Sequence, residues 1–163
     1  MLVIYRKFGD VIFSQLKELY WESIQTAAKE SSSNEFDHGA YLDAEQDFYL
    51  YLKDVFFRIS GAYCAVWQEN GMLYSAARME PYKDGYLLSA LETHPNHRRQ
   101  GYATKLMRSI LEQMPDQKVY SHIHKKNFAS ARVHEDCGFR IHSDMAVFLD
   151  GSASSSSNTW IYP

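Results

Sequence analysis

The sequence predicts an α/β fold: a mixed, mostly antiparallel sheet of about seven strands with a central parallel pair, flanked by about four helices. Two observations support this prediction. Apolar residues recur every three or four positions in some stretches, as in helices, whereas other stretches alternate or are rich in strand-forming residues. The resulting order is β-α-α-β-β-β-α-β-α-β-β, and its strand–helix–strand unit requires two parallel strands. With 163 residues, of which 45% are hydrophobic, the chain is predicted to form one domain over residues 1–163.

The N-terminal part is predicted to contain one strand and two helices. Residues 2–5 suit a short strand, and Asp10 is predicted to cap the helix that follows. That helix is expected to fade over residues 29–34, where serines and an asparagine break the period. A polar linker over residues 30–42 leads to a capping box at residues 43–46, which starts the second helix. Ser60 and Gly61 are predicted to end it.

Three antiparallel strands are predicted next. Residues 62–68 and 72–79 flank Asn70-Gly71, a pair that favours the two-residue turn of a β-hairpin. A second turn leads to a strand over residues 86–93. Pro95 closes that strand because proline donates no ladder hydrogen bond.

A strand–helix–strand–helix sequence follows. The clearest amphipathic helix is predicted over residues 103–114. Residues 119–124 alternate as a strand of period two. Asn127 is predicted to cap a short helix over residues 128–136, which Gly138 ends.

The C-terminal segment is predicted to add two strands. Residues 141–149 form the first, and the serine-rich residues 150–158 form a flexible hairpin loop. Residues 159–163 are expected to form the last strand, at the edge of the sheet.

Charge and cysteine content exclude several classes of protein. The net charge is −3, whereas a protein dominated by nucleic-acid binding is usually basic. Two cysteines far apart, Cys64 and Cys137, exclude a disulfide framework and a four-cysteine zinc site, and they are predicted to be buried free thiols. The N-terminus lacks a signal-peptide pattern and no apolar run is long enough to cross a membrane, so a cytoplasmic protein without a membrane partner is expected.

Residues 98–103 carry the strongest functional signal. They read Arg-Arg-Gln-Gly-Tyr-Ala and link the end of a predicted strand to the start of a predicted helix. Free backbone N–H groups and the positive end of the helix dipole form an anion site there, and Gly101 allows close approach of a phosphate. The spacing fits neither a P-loop nor a dinucleotide fingerprint. A phosphate-bearing cofactor and a basic capping loop with surface arginines both stay open on these grounds.

Two segments resemble the GNAT superfamily of acyl-CoA N-acyltransferases. Residues 98–103 are similar to its Arg/Gln-x-x-Gly-x-Gly/Ala pyrophosphate loop, and Thr93-His94-Pro95 is similar to the Val-x-Pro-like segment before that loop. Residues 127–139 are similar to its Asn-x-x-Ser/Ala-x-x-x-Tyr segment followed by Gly-Phe. The two segments also stand in the family's order of elements.

The resemblance implies the GNAT fold, with acetyl-CoA bound in a cleft between splayed parallel strands. Backbone groups of Leu91 and Thr93 then pair with the pantetheine arm, and Asn127 and Ser130 face the cofactor. One continuous segment holds the pyrophosphate, and it consists of Arg98, Arg99, Gln100, Gly101, Tyr102, Ala103 and Thr104.

One position departs from the family pattern. The family often has a tyrosine, which protonates the departing CoA thiolate, where this chain has His134. A histidine with an ordinary pKa of about 6.5 is mostly neutral above that pH, whereas a tyrosine stays protonated. His134 is therefore predicted either to be a weaker, pH-dependent acid or to occupy the helix surface without a catalytic role.

A carboxylate is expected to take the proton from an attacking amine, either directly or through one water. Glu92 at the end of its strand is the first candidate for this catalytic base. Glu80 on the preceding strand is the second, and His94 is the third. An ordinary exposed carboxylate is the alternative for either glutamate.

The resemblance implies transfer of an acetyl group from acetyl-CoA to a primary amine of a small molecule or peptide, by direct attack in a ternary complex. The alternative is a non-catalytic acyl-CoA-binding module with the same fold. The acceptor stays open, and a homodimer is one candidate assembly. His122 and His124 alone do not make a metal site, so no metal is expected. Tyr41, Tyr49 and Tyr51 lie where the family builds its acceptor wall, with core positions as the alternative.

Overall fold

The computed structural model describes residues 1–32 and 37–163. Its helices are α1 (Phe13–Leu19), α2 (Trp21–Ser31), α3 (His38–Asp54), α4 (Tyr102–Glu112) and α5 (Phe128–Asp136). Its strands are β1 (Leu2–Tyr5), β2 (Tyr63–Glu69), β3 (Met72–Tyr82), β4 (Gly85–Thr93), β5 (Lys118–His124), β6 (Arg140–Ser143), β7 (Ala146–Val147), β8 (Ala153–Ser154) and β9 (Ser157–Tyr162).

Seven of the strands form one sheet in the order β1-β2-β3-β4-β5-β9-β6, and β7 pairs with β8 in a separate hairpin. Neighbouring strands of the sheet run antiparallel except β4 and β5, which are parallel. The parallel pair arises because α4 carries the chain back along the sheet between them. The predicted fold class, a mostly antiparallel mixed sheet with a central parallel pair, is confirmed.

Helices cover both faces of the sheet, and each face has its own apolar core. Leu106 and Met107 of α4 are buried in the core that α4 and α5 form with the strands. Leu16 of α1 is buried in the core on the opposite face, together with side chains of α2 and α3. β2 contributes to both cores, because successive side chains of a strand point to opposite faces: Ala65 belongs to the first core and Cys64 to the second.

The first predicted helix is two helices in the structure. α1 ends at Leu19 and α2 begins at Trp21, with Tyr20 at the break. Tyr20 is buried, and its hydroxyl donates a hydrogen bond to the carbonyl of Ala90 on β4 (2.8 Å). No proline or glycine marks the break, so periodicity alone predicts one helix. Asp10, the predicted N-cap, lies instead in a 3-10 turn before α1.

α3 begins before the capping box predicted at residues 43–46. Its N-cap is Asp37, whose carboxylate accepts a hydrogen bond from the backbone N–H of Ala40 (3.1 Å). Asp43 is therefore inside the helix. A carboxylate at Asp37 satisfies the free donors of a first turn equally well, and the earlier start lengthens the contact between α3 and α2.

The linker predicted over residues 30–42 is largely replaced by helix. α2 extends to Ser31 and α3 begins at His38, while residues 33–36 lie outside the described part of the chain. The C-terminal end of α3 also differs from the prediction. It stops at Asp54, and a short 3-10 turn then leads to β2.

The C-terminal strands differ from the prediction in their order. Residues 141–149, predicted as one strand, divide into β6 and β7, and the serine-rich residues 150–158 contain β8 rather than only a flexible loop. β9 was predicted at the edge but lies between β5 and β6, so that β6 is the edge strand. Trp160 and Ile161 of β9 are buried, as an interior strand requires.

Both cysteines are free and buried, as predicted. Cys64 lies in the core beneath α1 and α3, and Cys137 lies in the core beneath α4 and α5. Burial raises the pKa of the Cys64 thiol to about 12 and also raises that of Cys137. Across the described residues, every helix is too short or too polar to cross a bilayer.

Candidate active site

A cleft opens between β4 and β5 where the two parallel strands part. The ladder between them has three pairs, Gly85–Leu87 against Lys118–Tyr120. Gly85 makes this approach possible, because a Cβ there would overlap the backbone carbonyl of Lys118. The cleft, called here the strand cleft, has a volume of about 740 Å³. The residues that line it include Glu80, Ala90, Leu91, Glu92, Ser121, Asn127, Ser130 and His134.

β4 carries a bulge at the wall of the strand cleft. The register between β3 and β4 shifts between Ala76 and Arg78, so that β4 contributes one residue more than β3 at this point. Ala90 has a φ of +49°, which is uncommon for a residue with a side chain. A bulge takes backbone groups out of the ladder, and it leaves those next to Leu91 beside the cleft.

The loop between β4 and α4 presents free backbone donors. Arg99 and Gly101 have φ values of +61° and +81°. Gly101 is the N-cap of α4 and makes no side-chain cap, so the first N–H groups of the helix lack the usual partner. A Cβ built on Gly101 would meet nothing within 4 Å, so the space before the helix is open. Open space, free donors and the helix dipole together suit an anion.

The two arginines of this loop differ in their contacts. Arg98 forms a two-pronged salt bridge with Glu22 of α2, at 3.0 and 2.8 Å. Its charge is therefore already paired within the protein. Arg99 and Gln100 are exposed. The backbone of the loop, rather than Arg98, is the part best placed for an anion.

The first turn of α4 is held against β3. The ring of Tyr102 stacks on that of Tyr74, with 4.4 Å between centroids, and the carbonyl of Tyr102 accepts a hydrogen bond from the hydroxyl of Ser75 (3.1 Å). Ala103 and Thr104 are half-buried. These contacts fix the start of the helix relative to the sheet, so the donors of the loop have a defined direction.

Asn127 caps α5, as predicted, and its side-chain oxygen accepts a hydrogen bond from the backbone N–H of Ser130 (3.1 Å). Both residues line the strand cleft. The cleft and the bulge of β4 thus offer a groove for an extended chain. Thr93 and residues 98–104 do not line the cleft, and the free donors at Gly101 lie in the connection that follows β4, at the start of α4. These features fit the acetyl-CoA that the sequence resemblance implies.

His134 lies inside the protein, so the expectation of a helix-surface position is wrong. Its side chain is 1% exposed because α5 turns this face toward β5. Nδ1 donates a hydrogen bond to the carbonyl of Ser130 (2.8 Å), since a carbonyl only accepts. Nε2 is then left to accept a hydrogen bond from the hydroxyl of Ser121 (3.0 Å). Burial lowers the pKa of His134, so the imidazole is neutral near neutral pH.

Two glutamates line the strand cleft. Glu92 of β4 accepts a hydrogen bond from the hydroxyl of Ser23 on α2 (3.2 Å). Glu80 of β3 is buried and has no ion-pair partner among the described residues. Burial raises the pKa of both carboxyl groups. His94, the third candidate base, lies 3.9 Å from Glu18 and does not line the cleft.

A second cavity, called here the helix cavity, lies between α2 and α3 and has a volume of about 810 Å³. Its wall includes Tyr20, Ser23, Ala27, Ala40, Asp43, Ala44, Asp47, Phe48, Tyr51, Arg78 and Ala90. Tyr51, Arg78 and Ala90 also line the strand cleft, so the two cavities meet at the bulge of β4. Small residues on the facing sides of α2 and α3 create the space.

Arg78 is the residue at this junction that sequence reasoning missed. Its guanidinium lies over the rings of Tyr51 and Phe56, 5.1 and 5.8 Å from their centroids. Its Nε is buried without a hydrogen-bond partner. An arginine inside a predicted strand is the only signal that the sequence offers for it. Ser121 was also missed, because a serine in a strand of period two carries no signal of its own.

The three tyrosines predicted for the acceptor wall have different positions. Tyr51 lines both cavities. Tyr49 packs edge-on against Phe8 and Phe13, with ring centroids 4.7 and 5.1 Å apart, and so belongs to the core side of α3. Tyr41 packs against the exposed Trp21, outside both cavities.

Within residues 1–32 and 37–163, no three potential metal ligands come together. His122 packs edge-on against Tyr82, whereas His124 is exposed and accepts a hydrogen bond from the backbone N–H of Lys126. The two histidines are engaged separately.

Comparisons with known proteins bear on this geometry. The sequence model of the Acetyltransferase (GNAT) family matches residues 14–139. A comparison with curated proteins gives no significant match.

Solved structures share the fold over 99% of this chain. PaiA N-acetyltransferase from Thermoplasma acidophilum, in complex with coenzyme A, is 12% identical over 98% of its chain, with a TM-score of 0.63. YncA from Salmonella typhimurium, with its cofactor acetyl-CoA, is 16% identical over 92% of its chain, with a TM-score of 0.60. Ribosomal-protein-alanine N-acetyltransferase from Brucella melitensis is 15% identical over 98% of its chain, with a TM-score of 0.62. At these identities the likeness shows the fold alone.

Proposed function

The chain belongs to the GNAT family of acetyltransferases, and on that premise we propose that it transfers an acetyl group from acetyl-CoA to a primary amine by direct attack in a ternary complex. One observation carries the proposal: the strand cleft and the helix cavity meet at Ala90, on the bulge of β4. Two cavities with a shared wall can hold a donor and an acceptor together, and direct transfer requires this arrangement.

The strand cleft is proposed to bind acetyl-CoA, which supplies an activated acetyl thioester. The free N–H groups at the start of α4, in the segment over residues 98–104, would hold the pyrophosphate. Backbone groups of Leu91 and Thr93 would pair with the extended arm. Asn127 and Ser130 would face it from α5.

Glu92 is proposed as the base that takes the proton of the attacking amine, directly or through one water. It lines the strand cleft two residues beyond Ala90, near the junction of the cavities. Burial raises the pKa of its carboxyl group, which makes the carboxylate a stronger base than an exposed one. Glu80 shares the raised pKa and is the second candidate.

His134 is proposed to be an acid only in its imidazolium form. In the neutral ring, the Nδ1 proton is bound to the carbonyl of Ser130, and Nε2 has no proton to give. A proton at Nε2 requires a pH below the lowered pKa of the ring. At higher pH the CoA thiolate would leave with help from solvent.

A non-catalytic acyl-CoA-binding module is the alternative, and the neutral His134 is the observation that favours it. Both proposals require binding of acetyl-CoA in the strand cleft. Only the acetyltransferase requires that an amine accelerate the breakdown of the thioester.

The test is to mix the purified protein with acetyl-CoA and a panel of primary amines, and to follow both CoA release and the acetylated product by mass spectrometry. The acetyltransferase predicts release of CoA that depends on one amine and matches product formation. Binding of acetyl-CoA by calorimetry without turnover of any amine would favour the module. Absence of binding would remove both proposals.

A further inference from the structure

We infer that the acceptor is an α-amino acid with a cationic side chain, bound by its carboxylate at Arg78 and acetylated on its α-amine. This inference rests on the proposed function and names the substrate class of the same site. It is carried by the charges of the helix cavity, which has a cation where it meets the strand cleft and aspartates further along α3.

Arg78 forms no ion pair in the described part of the chain, although its charge acts on the carboxyl group of Glu80, two residues further along β3, where burial raises the pKa and the charge of Arg78 partly offsets that rise. Its guanidinium packs on Tyr51 and Phe56, and within the described residues no carboxylate lies within ion-pair distance of it. Its Nε is buried and unpaired, and a buried donor without an acceptor is destabilising. Stacking on aromatic rings leaves the in-plane edge of a guanidinium for a planar anion, which a carboxylate matches with two parallel hydrogen bonds.

The position of Arg78 indicates which amine would react. Arg78 pairs with Ser89 across the β3–β4 ladder, directly before the bulge, and lines both cavities together with Ala90. A carboxylate held by Arg78 therefore lies at the junction of the two cavities. The amine on the neighbouring carbon of the same molecule is then the group closest to the strand cleft. This geometry favours acetylation beside the carboxylate rather than at a distant amine.

The outer part of the helix cavity is negative. Asp43 and Asp47 line it from successive turns of α3, and both are exposed. Neither has an ion-pair partner among the described residues. Four residues of helix rise by about 6 Å, so Asp47 stands about 6 Å and Asp43 about 12 Å along α3 from the level of Tyr51, over which Arg78 lies. The extended side chain of arginine or lysine matches the shorter of these two lengths, so Asp47 is the aspartate within its reach.

The combination of charges disfavours simpler acceptors. A polyamine would place a cation against Arg78, and like charges in a partly buried site repel. An acidic amino acid would place its second carboxylate near Asp43 and Asp47. A molecule with a carboxylate at one end and a cation at the other satisfies both parts of the cavity.

The test uses four matched acceptors with the wild-type protein and acetyl-CoA. L-arginine has one reactive amine, the carboxylate and the distal cation. L-argininamide lacks the carboxylate charge, agmatine lacks the carboxylate, and L-citrulline lacks the distal charge. We expect kcat/KM for arginine to exceed that for argininamide and agmatine by about tenfold or more, because a charged hydrogen-bonded pair is lost. The loss with citrulline should be severalfold, because the aspartates are exposed.

Four variants assign these preferences to residues. Arg78→Met should abolish the preference of arginine over argininamide, and Arg78→Lys should retain part of it. Asp47→Asn should reduce the preference of arginine over citrulline, whereas the control Asp116→Asn, on an exposed loop after α4, should leave it unchanged. Acetyl-CoA affinity should be the same in Asp47→Asn, Asp116→Asn and the wild-type protein, and the circular-dichroism spectrum and Tm of each of the four variants check that it is folded.

Equal kcat/KM for arginine, argininamide and agmatine would overturn this inference, while turnover of any of them would leave the proposed function standing. An equal loss of kcat for every acceptor in Arg78→Met would also overturn it, because Arg78 would then act on the acetyl group rather than on the acceptor. Absence of CoA release with every amine would overturn the proposed function and this inference together.

Discussion

The strand cleft and the helix cavity share a wall at Ala90, but backbone geometry shapes the first and side chains shape the second. The strand cleft depends on the backbone, through the parting of β4 and β5 and the bulge of β4, and the free N–H groups at the start of α4 add a backbone site outside its lining. The helix cavity depends on side chains of α2 and α3, small ones that create space and charged ones that set its polarity. The two sites should therefore respond to different kinds of substitution.

This difference matches what each site is proposed to bind. A backbone site tolerates many side chains, so a common donor can be held by chains whose sequences differ widely. A side-chain site changes with each substitution on α2 or α3, so acceptors can differ between proteins of one fold. The comparison predicts strong effects from changes in backbone conformation on the donor side, and from changes in charge on the acceptor side.

The largest effect is expected at the junction of the two cavities. Glu92→Gln removes the proposed base but keeps its size and its hydrogen bond from Ser23. We expect kcat to fall about 100-fold, in the usual range for loss of a general base, while acetyl-CoA affinity stays unchanged. Steady-state kinetics with an identified amine and calorimetry with acetyl-CoA measure the two quantities.

Glu80→Gln is the matched control, because both glutamates line the strand cleft and both have a raised pKa. We expect a small effect from it. The reverse result, with kcat lost in Glu80→Gln and kept in Glu92→Gln, would transfer the role of base to Glu80.

The next effect tests the backbone character of the strand cleft. Gly101→Val should weaken acetyl-CoA binding by about tenfold or more, because a β-branched residue resists the positive φ of +81° that directs the donors of the loop. The site has open space, so any loss arises from conformation rather than from a clash. Calorimetry with CoA measures it.

Gly71→Val supplies the control for this substitution. Gly71 also has a positive φ, +79°, and open space, but it lies in the β2–β3 hairpin. Its substitution should lower Tm without changing CoA affinity. Equal weakening of CoA binding in both variants would mean that general destabilisation, not the loop, explains the loss.

A smaller effect is expected from His134, the proposed acid in the strand cleft. His134→Tyr should raise kcat severalfold at about pH 8, because a tyrosine is still protonated there whereas the imidazole is neutral. The gain should vanish only well below about pH 6.5, since burial lowers the pKa of the histidine. His134→Phe has the aromatic ring of the tyrosine variant but no hydroxyl group. Comparison of these two variants therefore separates proton donation from packing. Profiles of kcat against pH that overlay for all three proteins would leave His134 without a role as acid.

The smallest effect concerns stability. The pKa of His134 is lower in the folded protein than in the unfolded chain, so the unfolded chain binds the proton first as the pH falls. Stability should therefore decline as the pH drops below about 6.5. Tm measured across this range should decline less steeply in His134→Phe than in the wild-type protein. The half-buried His122 has a lowered pKa as well, and it should account for part of the decline that is left.

Sequence reasoning succeeded where local chemistry decides the structure. The start of a helix directly after Gly101 and the cap at Asn127 are short patterns whose geometry depends on a few neighbouring residues, and the structure has both. Anion binding by the loop at Gly101 stays a prediction. The parallel pair of β4 and β5 followed from the order of elements alone. Asn127 and the two parallel strands form the strand cleft, whose construction from local backbone geometry makes it predictable from the sequence.

Sequence reasoning failed where distant residues decide the structure. The break between α1 and α2 lies at Tyr20, whose hydroxyl donates a hydrogen bond to the carbonyl of Ala90, a residue far away in the chain. The burial of His134 depends on β5, and the interior position of β9 depends on β6. Tyr51 was expected in the acceptor wall and lines the helix cavity, but the role of Arg78 there was missed, because Arg78 reaches this cavity only when β3 lies beside α3.

Each of the two apolar cores contains one free cysteine, which can serve as a probe of that core without any substitution. Cys64 lies in the core that includes Tyr20 and Ile24 of the helix cavity, and Cys137 lies in the core beneath α5. The thiolate is the nucleophile that attacks a thiol reagent, and burial raises the pKa of both thiols, so each cysteine is labelled only when its own core opens. Labelling of Cys137 should slow when acetyl-CoA binds, and labelling of Cys64 should slow when an acceptor binds. The unmodified chain thus reports the local opening of its donor half and its acceptor half separately.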